Sequence, residues 1–288
     1  PTRYWVGGTG TWNNSNTTNW ALTSGGPGGA SVPTSTDNVR FDTNSGTGTC
    51  TLAATLSGKN VDMSASSVTI SHPAGTTCTI YGGLQLPSGG TYTKGNNNTS
   101  AWIFAASTEK HYINANSQTV GHLTFNGTGS YQFADLITSA APAGRITLNS
   151  GTLNLSSFNH SLGGISSPAG NNRTLKLGSG TLTISGFGST AFAISNTGLT
   201  FDKGTRNITF TGATTLNAPN ILFNNITFSP TASGLITFDG NLSCDTLEFT
   251  ASSISNRGVI RSGTRGTQVT ISCSNFTGSE VTLVDIIG

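Results

Sequence analysis

The sequence predicts an all-β protein that forms a β-solenoid, a parallel β-helix with coils of about 21–29 residues. The first observation is composition: 149 of the 288 residues are Thr, Ser, Asn or Gly, and only 8% are charged. These four residue types favour strands, caps and turns over helices. An average globular protein has about a quarter of its residues charged. A helical bundle is therefore excluded, and a Rossmann-type enzyme is disfavoured.

The second observation is the recurrence of short segments in which apolar and polar residues alternate. Alternation with a period of two is typical of half-buried strands. One series starts at intervals of 21–29 residues: HLTF at 122–125, RITL at 145–148, TLKL at 174–177, GLTF at 198–201, NITF at 225–228, TLEF at 246–249 and QVTI at 268–271. A second series lies between its members: TLNL at 152–155, TLTI at 181–184, NITF at 207–210 and LITF at 235–238.

The third observation is an internal match between residues 145–156 and 174–185, offset by 29 positions. A fixed period of two or three short strands with Gly, Asn and Ser turns is typical of stacked coils that share one interior. The alternation predicts that Leu153 and Leu155 point inward and that Thr152 and Asn154 point outward. A β-sandwich or jelly roll also repeats strands every 8–12 residues, but it does not explain this match.

Two regions are predicted: an N-terminal Trp/Gly-rich cap at 1–45 and solenoid repeats at 46–288. The first region holds three of the four tryptophans, Trp5, Trp12 and Trp20, and the run GGPGGA. The open end of a solenoid exposes its core and unpaired strand edges, which need a cover. Large aromatic side chains in a glycine-rich segment suit that role. The alternative is a docking or sugar-binding surface made by the same tryptophans.

The cysteine spacing matches the coil length. Cys50 and Cys78 are 28 positions apart, and Cys244 and Cys273 are 29 apart. Each pair could therefore stack on adjacent coils, within the 4.4–6.8 Å between Cα atoms that a disulfide needs. The sequence leaves both readings open, and buried free cysteines are the favoured one.

The acidic residues give weak support for catalysis, and the chain is predicted not to be an enzyme. Glycoside hydrolysis needs two carboxylates held close together. Asp239, Asp245 and Glu248 form the one local cluster, and the similar segments FDKG and FDG suggest that Asp202 lies near Asp239. Asp before or near Gly is also a common turn residue. A polysaccharide-degrading enzyme of the tailspike type remains an alternative.

No cofactor or metal is predicted. The four histidines, His72, His111, His122 and His160, are widely separated and lack the paired spacing of zinc ligands. The net charge is +2 without a basic stripe, so no nucleic acid is expected as a partner. No segment approaches the roughly 20 apolar residues that span a bilayer, and the start PTRYWVGG lacks the pattern of a signal peptide. We therefore expect no membrane insertion.

The segment at about 4–42 carries a resemblance to a known class of protein. It has the form W-x-G-G-x-G-x-W, then N-W, a Gly-Pro stretch and D-x-V-x-F. This resembles the opening module of repeat-rich phage virion proteins and is also similar to the start of β-helical surface adhesins of bacteria. The resemblance implies an extracellular or virion β-solenoid and carries over no catalytic residue.

The resemblance implies a non-enzymatic virion protein, displayed as a tail fibre, spike or head-decoration protein and assembled in the host cytoplasm. A β-helical adhesin on the bacterial cell surface is the alternative. The expected partners are further copies of the chain, with a trimer favoured, other capsid or tail proteins, and a host surface glycan. The candidate contacts with a receptor or partner are aromatic: Trp5, Trp12, Trp20, Tyr81, Tyr92 and Trp102.

Overall fold

The computed structural model of the protein describes residues 1–95, 100–139, 144–186, 188–229, 235–250, 258–278 and 281–287. Within these ranges the regular secondary structure is entirely β. The chain divides into two compact units, Pro1–Ala140 and Ala141–Gly288. The prediction of an all-β solenoid is confirmed.

The first unit consists of short strands joined by turns. Its strands are β1 (Thr2–Trp5), β2 (Gly10–Trp12), β3 (Trp20–Ala21), β4 (Asn38–Arg40), β5 (Thr49–Leu52), β6 (Val61–Asp62), β7 (Thr69–His72), β8 (Thr77–Ile80), β9 (Leu84–Gln85), β10 (Tyr92–Lys94), β11 (Ala101–Phe104), β12 (Lys110–Asn114), β13 (Thr119–Val120), β14 (His122–Phe125), β15 (Ser130–Phe133) and β16 (Thr138–Ser139).

These strands stack on equivalent strands of neighbouring turns. One face has the order β15-β12-β9-β6-β4-β1-β3, a second has β10-β7-β5-β2, and a third has β14-β11-β8. The recorded pairs are parallel except β1 with β3, which is antiparallel. Parallel pairs need a connection that returns the chain to the same edge, and the two intervening faces of each turn supply it.

The second unit continues the same type of construction. Its strands are β17 (Arg145–Leu148), β18 (Gly151–Asn154), β19 (His160–Leu162), β20 (Gly164–Ser167), β21 (Arg173–Lys176), β22 (Thr181–Ile184), β23 (Gly188–Ile194), β24 (Leu199–Asp202), β25 (Asn207–Phe210), β26 (Thr214–Asn217), β27 (Leu222–Phe228), β28 (Leu235–Phe238), β29 (Leu242–Phe249), β30 (Gly258–Ser262), β31 (Val269–Gly278), β32 (Val281–Val284) and β33 (Ile286–Ile287).

Three faces are again present within this unit. Their strand orders are β24-β21-β18, then β32-β30-β28-β26-β23-β20-β17, and β33-β31-β29-β27-β25-β22-β19. The register defines the coil length: Ile208 pairs with Ile226 after 18 residues, whereas Leu247 pairs with Phe276 after 29. The predicted range of 21–29 residues is therefore too narrow at its lower end.

The alternation along each strand places the apolar residues in the interior. Leu153 and Leu155 are fully buried, whereas Thr152 and Asn154 are partly exposed, as the sequence predicts. Because neighbouring strands are in register, like side chains stack on like. The rings of Phe104 and Phe125 are parallel-stacked with centroids 4.9 Å apart in the first unit. Phe210 and Phe228 stack at 5.1 Å in the second.

The internal match at an offset of 29 is wrong as a description of stacking. Residues 152–155 pair with 174–177 at an offset of 22, and strand β17 lies on a different face from β21. Other repeats do stack as the series implies, including 181–184 on 207–210 and 225–228 on 246–249. The segments on different faces have nearly the same sequence, so a self-comparison aligned neighbouring faces rather than neighbouring coils.

The first 45 residues share sheets with the residues that follow them. Strand β1 pairs in parallel with β4, and β2 pairs in parallel with β5 across the predicted boundary. At the end of its sheet, β3 covers the outer edge of β1 in the antiparallel direction. An antiparallel strand on the terminal edge occupies hydrogen-bonding groups that would otherwise be free to pair with another chain.

The four cysteines are free thiols. Cys244 and Cys273 lie directly opposite each other on β29 and β31, as their spacing suggests. Cys50 and Cys78 do not, because Cys50 pairs with Ile70 on one face whereas Cys78 pairs with Trp102 on another. Similar spacing therefore leads to stacking in one pair alone.

Candidate functional site

The tryptophans of the opening segment form an aromatic core instead of a surface. Trp5, Trp12 and Trp20 are each 0% exposed. Trp20 contacts both others edge to face at 5.1 and 5.4 Å, and Phe41 stacks on Trp5 at 5.3 Å. Edge-to-face and offset stacking are the favoured arrangements of such rings. The prediction that these three tryptophans contact a receptor is therefore wrong, and their role is packing.

The glycines and the asparagine of the same motif hold this core in place. Gly8 has a φ of +69°, and a Cβ there would lie 1.8 Å from the carbonyl oxygen of Thr47. A Cβ on Gly10 would lie 2.2 Å from Oδ1 of Asn19. Asn19 is buried, and its amide donates hydrogen bonds to the carbonyl oxygens of Val6 and Thr9. The motif thus encodes a turn closed by one buried amide.

Two further predicted contact residues, Tyr92 and Trp102, belong to a buried polar chain. The Trp102 indole N–H donates to the Tyr92 hydroxyl oxygen at 3.1 Å, and that hydroxyl lies 2.6 Å from Nδ1 of His72. Nε2 of His72 lies 3.0 Å from the carbonyl oxygen of Thr76, which can only accept. The ring therefore carries its proton on Nε2, and Nδ1 accepts from Tyr92. Neither aromatic residue is exposed to a receptor, so this prediction is also wrong.

Tyr81 is the one predicted contact residue with an exposed side chain; it is 38% exposed. It lies in a groove of about 280 Å³, which we call the Tyr81 groove. The lining residues are Ser35, Thr36, Lys59, Tyr81, Ala105, Ala106, Ser107, Thr108, Glu109 and His111. Hydroxyl groups, one aromatic ring and an ion pair therefore face the same space.

Charge in the Tyr81 groove comes from Lys59 and Glu109, whose Nζ and Oε2 atoms are 3.3 Å apart. Glu109 has a φ of +67°, a left-handed conformation that a non-glycine residue seldom adopts. Its carbonyl oxygen accepts from the amide of Ser130, which holds the segment in this conformation. Strained backbone persists only where neighbours over-determine it, and it is frequent at binding sites.

The wall of the groove is held from behind by buried side chains. The Tyr131 hydroxyl accepts from the amide of Ala106 at 2.7 Å, and the Thr128 hydroxyl donates to the carbonyl oxygen of Ser107 at 2.8 Å. Nε2 of His111 lies 3.2 Å from the carbonyl oxygen of Thr108. These bonds give the segment at 105–109 a fixed shape without using the Tyr81 ring.

The candidate catalytic carboxylates lie on different faces of the second unit. Asp202 ends β24 and Asp239 follows β28, so the predicted proximity of these two residues is not supported by their sheets. Asp245 lies on β29 and forms an ion pair with Lys203. Glu248, on the same strand, accepts from the Thr227 hydroxyl at 3.3 Å.

The groove beside Asp239 offers little for acid–base chemistry. Its volume is about 440 Å³, and Asp239 is the one carboxylate among its described lining residues. Hydrolysis of a glycosidic bond with two carboxylates needs a second one about 5–9.5 Å away. Within the described parts of the chain, no cluster of three His, Cys, Asp or Glu side chains has the arrangement of a metal site.

Two buried arginines were not identified from the sequence. Arg206 is 0% exposed and donates to the carbonyl oxygens of Leu155, Ser156, Phe158, Leu177 and Thr181. Burial lowers the pKa of Arg206 to about 10, so the guanidinium is charged at neutral pH. The five acceptors lie on two different turns, so one side chain ties both turns to its own.

Arg173 plays the same part on another face. It donates to the hydroxyl and carbonyl oxygens of Ser167 and to the carbonyl oxygens of Asn171, Ser195 and Thr197. The signal was present in the sequence, because Arg173 and Arg206 each stand two positions before an inward leucine or isoleucine. Alternation therefore places both guanidinium groups on the inward face.

No protein-family model matches the chain, and neither curated proteins nor solved structures gave a match. In the residues that the structure describes, no helix has the length and apolar character needed to cross a membrane.

Substitution of Arg206 by Met should lower the free energy of unfolding by about 3 kcal/mol, because buried carbonyl oxygens lose their donors. Arg265→Met, at an exposed position, should change it by less than about 0.5 kcal/mol. Urea unfolding followed by circular dichroism measures both variants. Equal stability of the two variants would contradict the role given to Arg206.

Stability should fall on acidification because two buried histidines resist protonation. Burial lowers the pKa of His72 and of His160 to about 4, against an ordinary value of 6.5. Between pH 6.5 and 4 the unfolded chain therefore binds protons that the folded chain does not. Each histidine should remove about 3 kcal/mol over this window, and stability should be fully present above it.

Trp102 contacts the His72 ring at 5.2 Å, so tryptophan fluorescence is a suitable probe of urea unfolding at pH 7 and at pH 4.5. His72→Gln should reduce the difference between the two pH values by about half. His122→Gln, which leaves both buried histidines in place, should retain the difference. A pH dependence that is unchanged in His72→Gln would show that another group is responsible.

Proposed function

We propose that the chain is a non-enzymatic structural protein of a phage particle, displayed on its surface as a tail fibre, spike or head-decoration protein. In this proposal it is assembled in the host cytoplasm as a homotrimer and contacts other capsid or tail proteins. The observation that carries the proposal is the internal use of the polar groups. Arg173, Arg206 and His72 bind groups of their own solenoid and are buried.

This arrangement suits a projecting element better than a catalyst. An active site needs ionisable groups with perturbed pKa values in an accessible cleft. Here the histidines whose pKa is lowered by burial are inside the turns. Cross-turn hydrogen bonds from buried side chains instead resist local opening, which is the property that a displayed rigid part requires.

The phage assignment rests on the opening motif and on what that motif builds. Its glycines and Asn19 support an aromatic core, and β3 covers the edge of β1. A covered edge prevents pairing of one chain with the next. Such protection is useful where many copies stand close together on a symmetric particle.

Antibodies raised against the purified chain should label phage particles purified from a lysed culture of the source. Gold-labelled particles in the electron microscope should carry the label at one symmetric position on the head or tail. Antibody absorbed beforehand with the purified chain is the control and should leave the particles unlabelled. Label on bacterial envelopes and none on particles would refute the proposal in favour of the bacterial adhesin.

A second candidate function, recognition of a host glycan, is favoured by the Tyr81 groove. It combines an exposed aromatic ring, several hydroxyl groups and the Lys59–Glu109 ion pair. An aromatic face buries large apolar area at little cost in entropy, and fixed polar groups around it give orientation. Sugars have apolar ring faces and hydroxyl edges, so they match this combination.

Tyr81→Ala should weaken binding to a glycan identified on an array of bacterial surface polysaccharides by about tenfold, because loss of one aromatic contact costs about 1.4 kcal/mol. Tyr112→Ala is the matched control, since Tyr112 is 51% exposed and stands outside the lining residues of the groove. Calorimetry measures both dissociation constants. Equal affinity of the two variants would remove the Tyr81 groove from consideration, and release of reducing ends would indicate an enzyme.

A further inference from the structure

Cys244 and Cys273 occupy directly opposed positions on two parallel strands. They are Cα partners in the pairing of β29 with β31, and Leu242 opposite Ile271 fixes the same register beside them. Adjacent strands in a sheet lie about 4.7–4.9 Å apart. A disulfide accepts Cα separations of about 4.4–6.8 Å. The backbone therefore already meets the main geometric condition for a bond between the two sulfur atoms.

The side chains also point the same way, because residues that pair in register on parallel strands lie on one face of the sheet. Cys244 is buried and Cys273 is partly exposed. One thiol is thus accessible to a reagent in solution, and the other lies directly behind it. Both are free in the structure, so the bond is open to formation.

The location gives the bond a mechanical effect. Strand β31 is ten residues long, and β33 pairs with it at Val269 and Thr270. In the described part of the chain, the remainder of β31 has β29 as its neighbour in the sheet, and its residues from 274 to 278 are exposed. Such an outer strand opens more readily than an interior one. A covalent link to β29 would hold it in place.

We propose that Cys244 and Cys273 are a modification site at which a low-molecular-weight disulfide, such as oxidised glutathione, introduces a bond between β29 and β31. The physiological timing rests on the proposed function: a protein assembled in a reducing cytoplasm meets oxidants after lysis. The chemistry itself depends on the two residues alone.

The exchange balances in two steps. The Cys273 thiolate attacks a sulfur of oxidised glutathione, which forms a mixed disulfide and releases one glutathione thiolate. The Cys244 thiol then loses its proton to solvent and attacks the sulfur of Cys273, which releases the second glutathione thiolate. Two protein thiols are oxidised and one small disulfide is reduced. Burial raises the pKa of Cys244 to about 12, so the second step is the slower one.

The other two cysteines are an internal control. Cys50 and Cys78 are both 0% exposed, and they lie on different faces of the first unit. They have neither the opposed positions nor the access that the exchange requires. A preference for Cys244 and Cys273 therefore tests the geometry rather than the general reactivity of thiols.

The experiment incubates the full chain with oxidised glutathione at pH 8 without denaturant, then blocks the remaining thiols with iodoacetamide in denaturant. Non-reducing peptide mapping should find a peptide pair that links Cys244 to Cys273, with alkyl groups on Cys50 and Cys78. The variant with Cys50→Ala and Cys78→Ala should form the same link. Cys273→Ser should form no link, and it should not show the rise of about 5 °C in the unfolding midpoint that the link gives.

A stable glutathione adduct on Cys273 without the internal link would overturn the proposal, as would a link that forms only after unfolding. The outcome is independent of the antibody labelling of particles. A link in the purified chain together with unlabelled particles would refute the phage assignment and leave the modification site standing. Labelled particles whose chain cannot form the link would do the reverse.

Discussion

Each strand of this protein bonds its main chain to the equivalent strand one turn along, and this pairing limits what any side chain can do. The register is maintained through long series, for example from β22 to β25, β27 and β29. A residue is therefore stacked on the residue that follows it by one coil. Phenylalanine stacks on phenylalanine, and the Asn225 amide donates to Asn207 at 2.9 Å on the outside. Coils of different length are tolerated because the extra residues are taken up in turns, where the pairing imposes no register.

The same constraint explains why charged groups are inside. The carbonyl oxygens at the corners of a coil, where strands end, lack a partner in the ladder and need donors. Arg206 and Arg173 supply five donors each in a planar fork, which spans the distance between turns. The cost of burying the charge is offset by bonds to many acceptors at once. The His72, Tyr92 and Trp102 chain serves the first unit similarly, with each polar atom supplied by the next.

Much of the fold could be predicted from composition and alternation, and much of the candidate site could not. Inward positions such as Leu153 follow from a period of two, and the same rule applied to Trp102 and Phe104 would have placed both inside. Pairing between faces was beyond reach, because 152–155, 174–177 and 181–184 have almost the same residues and only the turns between them decide which segments meet. The Tyr81 groove depends on the left-handed conformation of Glu109 and on Lys59 from another turn. Neither is encoded by a local pattern.

The register between turns is the central claim, and the distance between two spin labels tests it most directly. In a background with all four cysteines replaced by alanine, labels at Thr152→Cys and Thr174→Cys should be about 5 Å apart at the backbone and give strongly broadened spectra. Labels at Thr152→Cys and Thr181→Cys, which follow the offset of 29, should give narrow spectra because the two positions lie on different faces. Broadening in the second pair and none in the first would contradict the stacking on which the account depends.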